Sequence, residues 1–160
     1  METTKTATCP RCRRPLVPGA LGGVELAICS GCEGVLVEQR RVIGLMEAMA
    51  TELMDGIDLD HPLEAMADDG GRCECPRCGE ALVSFGYLGT ALVFPSRCRR
   101  CEVLWVDPGE LGAMALLYAR TERRVGDRRE REVRARDALD ERVHAMLKQR
   151  IVSRLLGRLI

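Results

Sequence analysis

The pattern of apolar and polar positions predicts two hairpin-plus-helix units followed by a long charged helix. Val24-Glu25-Leu26-Ala27-Ile28 alternates with a period of two and follows Gly22-Gly23, so it reads as a strand returning from a turn. Ala81-Leu82-Val83-Ser84-Phe85 and Thr90-Ala91-Leu92-Val93-Phe94 flank a second turn near Gly86 to Gly89. After each hairpin the period lengthens to that of a helix. The first helix is expected from Arg40 to Leu53, with Val42, Met46, Met49 and Leu53 on one face. The second is expected from Pro108 to Arg123, with Leu111, Met114, Ala115 and Tyr118 inward. Its start is well marked, because Asp107 can cap, Pro108 suits the first helical position and Glu110 can complete a capping box. Gly126-Asp127 is expected to interrupt it, and a charged helical pattern then runs from Arg128 to Gly157. These readings divide the chain into 1–54, a first unit; 55–72, an acidic linker broken by Gly56, Pro62 and Gly70-Gly71; 73–123, a second unit; and 124–160, the basic helix.

The two units repeat in their cysteines as well as in their pattern. Cys9-Pro10-Arg11-Cys12 recurs 66 residues later as Cys75-Pro76-Arg77-Cys78, and Cys29-Ser30-Gly31-Cys32 recurs 69 residues later as Cys98-Arg99-Arg100-Cys101. The run Glu33-Gly34-Val35-Leu36-Val37-Glu38 likewise returns as Glu102-Val103-Leu104-Trp105-Val106-Asp107. A tetrahedral metal needs four sulfurs converging from two sides, and two Cys-x-x-Cys turns joined by a hairpin supply them. The intervals of 16 residues (Cys12 to Cys29) and 19 residues (Cys78 to Cys98) fit such an out-and-back hairpin. The expected ligand sets are therefore Cys9, Cys12, Cys29, Cys32 and Cys75, Cys78, Cys98, Cys101, each holding one Zn²⁺. Iron in the same sulfur cage is the alternative metal. A redox dithiol calls for a lone pair at a helix start rather than paired turns.

The composition favours a metal staple. Only 3% of the 160 residues are aromatic, with a single Trp, so the core lacks the large side chains that stabilise small domains. Nine cysteines are an odd number for a disulfide framework, and METTKTATCPRC carries no export signal, so a reducing cytoplasmic setting is expected. Cys73 is read as a thiol outside both quartets, dispensable for metal; an exchange ligand for Cys75 is its other reading. Both quartets are filled by sulfur, which leaves no open position for a catalytic water, and neither histidine, His61 or His144, lies near them. No catalytic residue and no small-molecule substrate are expected.

With these residues in view, each unit resembles the TFIIB-type transcription-factor zinc-finger family, a zinc ribbon followed by a short helix. The second unit carries the family pattern at Cys75, Pro76, Cys78, Cys98, Cys101, Trp105, Val106, Asp107, Gly109, Glu110 and Leu111, with Glu102-Val103 where the family prefers Gly-Gly. The first keeps Cys9, Pro10, Cys12, Cys29, Cys32, Gly34 and Val35, with Leu36 in place of Trp, Glu38 in place of Asp and Arg40-Arg41 in place of Gly-Glu. The resemblance implies two tandem ribbons of a small metal-stabilised α+β fold and a transcription-related role; the long C-terminal helix lies outside it and completes the expected architecture.

Charge separates the possible partners. Residues 1–119 hold 11 basic and 17 acidic side chains, net −6, whereas 120–160 hold 13 basic and 7 acidic, net +6. Arginine pairs at Arg13-Arg14 and Arg99-Arg100 suit phosphate and predict a nucleic-acid adaptor. A protein-interaction or oligomerisation module is the alternative. After Glu141 the tail lacks acids and sets Arg142, Lys148, Arg150 and Arg154 beside Val143, Met146, Leu147, Ile151 and Leu155 at helical spacing. Contact of the basic, apolar C-terminus with an anionic membrane surface is a third reading. Each ribbon is expected to unfold without metal, and the first site, with its weaker helix start, is expected to be the looser.

Overall fold

The computed structural model describes residues 7–54, 58–60, 62–67 and 73–156. The chain forms two compact units, Met1–Arg120 and Thr121–Ile160. In the first unit both ribbons contribute to one antiparallel sheet of six strands: β1 (Leu16–Leu21), β2 (Val24–Cys29), β3 (Val35–Glu38), β4 (Val83–Ser84), β5 (Ser96–Cys98) and β6 (Val103–Val106), in the order β1-β2-β3-β6-β5-β4. The ribbons meet along β3 and β6, with Leu36 opposite Trp105, Val35 opposite Val106 and Val37 opposite Leu104. Leu36 and Trp105 are also equivalent residues of the two repeats, so an approximate two-fold axis passes between them.

The apolar runs of β3 and β6 show no alternation because both faces of these central strands are covered. Val35, Val37, Leu104 and Val106 face a core shared with helix α1 (Val42–Met54) and the first turns of helix α2 (Glu110–Leu156), where Leu45, Met46, Met114 and Ala115 have no exposed surface. Leu36, Val103 and Trp105 face the other way, into a cluster that contains Cys9, Cys29, Cys75 and Cys98. A short 3-10 turn, Gln39–Arg41, leads into α1. Val42 and Met46 are buried and Met49 half-buried as the helical period predicts, while Leu53 lies outside the described side chains.

The second hairpin departs from its expected form. Only Val83–Ser84 and Ser96–Cys98 pair as strands, and Thr90–Phe94 is irregular. Pro95 has no N–H for a ladder, and the loop closes on itself instead: the Tyr87 N–H donates to the Val93 carbonyl (2.9 Å) and the Phe85 N–H to the Pro95 carbonyl (3.1 Å). Val93, freed from a strand, plugs the helix-side core with no exposed surface. Part of the acidic connection is also ordered onto the core. Leu59 is buried, the Met66 N–H donates to the Leu92 carbonyl (2.8 Å), and Arg120 Nε donates to the Leu59 carbonyl (2.6 Å).

Helix α2 begins on one half of a capping box. Glu110, buried, accepts the Asp107 N–H at Oε2 (2.8 Å) and the Phe94 N–H at Oε1 (3.3 Å), whereas the Asp107 carboxylate is used elsewhere. Burial pushes the Glu110 carboxyl pKa up, although the Asp107 N–H opposes the rise. Ionised Glu110 is thus less stable in the fold than in the unfolded chain, so its share of stability falls as pH rises through the raised pKa. Glu110→Ala leaves two backbone N–H groups without acceptors and is expected to cost about 1–3 kcal/mol in chemical denaturation. Glu110→Gln should cost less and flatten the pH dependence just above the ordinary carboxylate range.

Helix α2 passes Gly126-Asp127 without a break. In the second unit its side chains from Arg124 to Lys148 are exposed, polar for the most part and braced by i,i+4 pairs such as Arg128–Glu132 (2.9 Å) and Glu130–Arg134 (3.2 Å). The glycine costs only about 1 kcal/mol, which the strong helix formers on either side, Glu122 to Arg124 and Arg128 to Glu132, offset.

Candidate metal centres

Each Cys-x-x-Cys turn is built by its backbone. The N–H groups of Arg11 and Cys12 donate to Cys9 Sγ (3.3 and 3.4 Å), those of Gly31 and Cys32 to Cys29 Sγ (3.3 and 3.5 Å), and that of Cys101 to Cys98 Sγ (3.4 Å). Aiming N–H groups at sulfur requires the residue after each second cysteine to turn left-handed. Arg13 (φ 63°), Glu33 (φ 65°), Gly79 (φ 78°) and Glu102 (φ 52°) all do so. Only one of the four is glycine, and left-handed geometry strains the others. Glu102→Gly, where the backbone already demands it, is expected to raise the stability of the zinc-loaded protein by up to about 1 kcal/mol, measured as a shift in denaturant midpoint.

The turns bring the sulfurs into two quartets, Cys9/Cys12/Cys29/Cys32 and Cys75/Cys78/Cys98/Cys101, with all Sγ atoms of a set within 4.8 Å of one another. Cys9–Cys32 and Cys78–Cys98 are 3.6 Å apart and Cys12–Cys29 3.3 Å. A zinc tetrahedron with bonds of about 2.3 Å has edges of about 3.8 Å, so the donor type and spacing fit two Zn²⁺ per chain. A bound zinc would supply a cross-link between the two turns of its ribbon. Cys73 is buried in the cluster beside Cys75 and stands outside both quartets.

The sulfurs differ in their readiness to ionise. Burial pushes Cys9 and Cys101 up to about 12 and raises Cys32 and Cys75. Cys29 is also buried, yet N–H groups from Cys32 and Gly31 outweigh that burial and bring it down to about 6. Cys78 is lowered, first by the Glu80 N–H.

Between the centres stands Trp105, fully buried beside the sulfurs, and its ring reaches the other ribbon. A Cβ on Gly34 would drive into its six-membered ring, so the indole occupies the space that a side chain at 34 would take. Trp105 Nε1 donates to Asp107 Oδ1 (2.8 Å). Asp107 also receives Arg11, which sits between the first two cysteines, with Nε 2.9 and 3.0 Å from its two oxygens. The two-fold partner of this ion pair is Arg77 with Glu38, at 3.7 Å. Arg40 first, then Arg41 and Arg77, hold the Glu38 carboxyl below its usual pKa. Neither ribbon's sequence, taken alone, signals these cross-ribbon contacts. A signal lies in the paired departures of the repeats, Gly34 against Val103 and Leu36 against Trp105.

Of the arginines singled out by the sequence, Arg13, Arg14, Arg99 and Arg100 are all exposed on the cysteine turns. Arg100 pairs with Glu80 (3.1 Å), and the stem of Arg14 lies against Gly31. Arg150 and Arg154 are in α2, and their side chains lie outside those described. His61 is outside the described residues, and His144 is exposed on α2 with Nδ1 3.0 Å from the Asp140 carbonyl. Among the described residues, no helix is long and apolar enough to cross a membrane.

Residues 8–41 match the family model described as a transcription factor zinc-finger, a TFIIB-type zinc ribbon. No curated protein and no solved structure matches the chain. The match covers the first quartet, and the second quartet, at equivalent positions and in the same sheet, supports a second copy of the ribbon.

Proposed function

We propose that this double zinc ribbon is a non-catalytic cytoplasmic adaptor that binds nucleic acid through its cysteine turns. The observation that carries the reading is the exposure of Arg13, Arg14 and Arg99 on turns whose backbones are fixed by sulfur hydrogen bonds. With the backbone already fixed, ordering such an arginine on a phosphate costs side-chain freedom alone. Few aromatic residues are present to stack on bases, so the expected mode is backbone contact with weak sequence preference.

The test is a salt titration of zinc-loaded protein on random-sequence DNA and RNA. Log affinity should fall linearly with log salt, and Arg13→Ala combined with Arg99→Ala should reduce that slope by about one for each phosphate no longer neutralised. No binding at low salt would move the assignment to a protein partner. That second reading is favoured by Leu139, Val143, Met146 and Leu147, apolar and exposed on α2. Removing residues 142–160 should then abolish oligomers or partner capture while two zincs per chain remain.

A further inference from the structure

We propose that the second ribbon completes the first metal centre, through Asp107 and Trp105 acting on Arg11 and Gly34, and that the first ribbon gives the second centre no comparable side-chain support. The two-fold axis makes the comparison direct, because each position around one centre has an equivalent position at the other. Arg11 donates its backbone N–H to Cys9 Sγ while its guanidinium grips both oxygens of Asp107 from the other ribbon. Asp107 is itself fixed by the Trp105 indole N–H. The same indole fills the space over Gly34, two residues beyond Cys32, and so braces the other turn of the centre.

The reciprocal side-chain set is weaker at each of these points, although the Gln39 N–H donates to the Glu102 carbonyl beyond Cys101 (2.8 Å), a backbone bond that Pro108 cannot return. Leu36, which replaces the tryptophan, has no donor for Glu38. Val103, which replaces Gly34, brings its own side chain and needs no ring to fill its place. Arg77 lies 3.7 Å from Glu38, is 46% exposed, and shares that carboxylate with Arg40 and Arg41. Exposed pairs of this kind contribute little. Asp107 and Trp105 are therefore positioning residues for the first centre, acting through Arg11 and Gly34. Removing a group that orients the ligands from outside commonly weakens a metal site by about 10–100-fold.

Zinc counting by native mass spectrometry on the full chain reads this asymmetry. Under challenge with a chelator, the zinc held by Cys75, Cys78, Cys98 and Cys101 in Cys29→Ser should persist, whereas the zinc left on the first quartet in Cys98→Ser should be lost at about 10–100-fold lower chelator concentration. Equal retention of the remaining zinc by the two variants, or earlier loss from Cys29→Ser, overturns the proposal. Asp107→Ala provides a test with both quartets intact. Release to a chromogenic chelator should become biphasic, with one zinc leaving about 10–100-fold faster and the other at the unaltered rate. Asp107→Asn, which keeps an oxygen for the indole and the guanidinium, should restore most of the slower release, and Glu38→Ala should leave both rates unchanged. In a Cys29→Ser background, Asp107→Ala should have no effect on the remaining zinc. Equal acceleration of both zincs by Asp107→Ala, or an equal effect of Glu38→Ala, would show that no such direction exists.

Discussion

Gly34→Val is expected to destabilise the protein severely, and Trp105→Leu in the same chain to restore much of the stability. Gly34 does not use the left-handed backbone region, so valine is conformationally acceptable there and the penalty comes from collision with the Trp105 ring. Overpacking of a dense core typically costs about 1–3 kcal/mol, and more where the obstacle is a rigid ring with no exposed surface. Trp105→Leu alone removes most of the indole and one hydrogen bond to Asp107, which keeps Arg11, with a cost approaching the roughly 3–5 kcal/mol of tryptophan truncation. Together the two substitutions recreate Val103 with Leu36, a pairing the fold already accommodates across its axis. The coupling energy in a double-mutant cycle by chemical denaturation should be favourable, about 1–3 kcal/mol. Simple additivity would mean that position 34 and the ring do not compete for one volume.

Removal of zinc should unfold the six-stranded sheet as a whole. A structural zinc contributes about 10–16 kcal/mol in small zinc-finger peptides at neutral pH, against a net stability of about 5–15 kcal/mol for an ordinary domain. Both quartets border one cluster around Trp105, so loss of both metals leaves that packing with neither cross-link. Trp105 is the only tryptophan of the chain and reports on the event directly. Chelation should shift its emission to that of a water-exposed indole, and added zinc should reverse the shift. A buried indole after both metals have left would show that the apolar core suffices. Acid should act in the same direction. Zinc is held by thiolates, and in the unfolded chain the released sulfurs take up protons with an ordinary thiol pKa of about 8.5, so retention weakens as pH falls below it.

The metal sites are legible in the sequence because their chemistry fixes spacing: two sulfurs per turn, two turns per hairpin. The strand Val24–Ile28 is legible because one of its faces is more deeply buried than the other, which leaves an alternating trace. Thr90–Phe94 alternates too, but Pro95 and the Glu110 carboxylate take the backbone out of the ladder, an interaction 16 residues away that no local pattern carries. The continuous helix through Gly126 is hidden by the rule that glycine breaks helices, which here is outweighed by the strong helix formers flanking it, Glu122 to Arg124 and Arg128 to Glu132. The joining of β3 to β6 leaves its mark only as apolar runs in both repeats. Such runs say that a strand is covered on both faces without saying which strand lies beside it.

The axis between Leu36 and Trp105 has one more consequence. In an isologous homodimer each interface residue appears twice, so any substitution is made on both sides of the axis at once. Placing both halves of such an interface in a single polypeptide removes that obligation. One half can hold a large ring against a glycine and the other two aliphatic chains of middling size, and each solution needs to be compatible only with its own surroundings. The tandem arrangement thereby leaves the two ribbons free to differ around a common seam, and the mismatched pairs at 34, 36, 103 and 105 make use of that freedom.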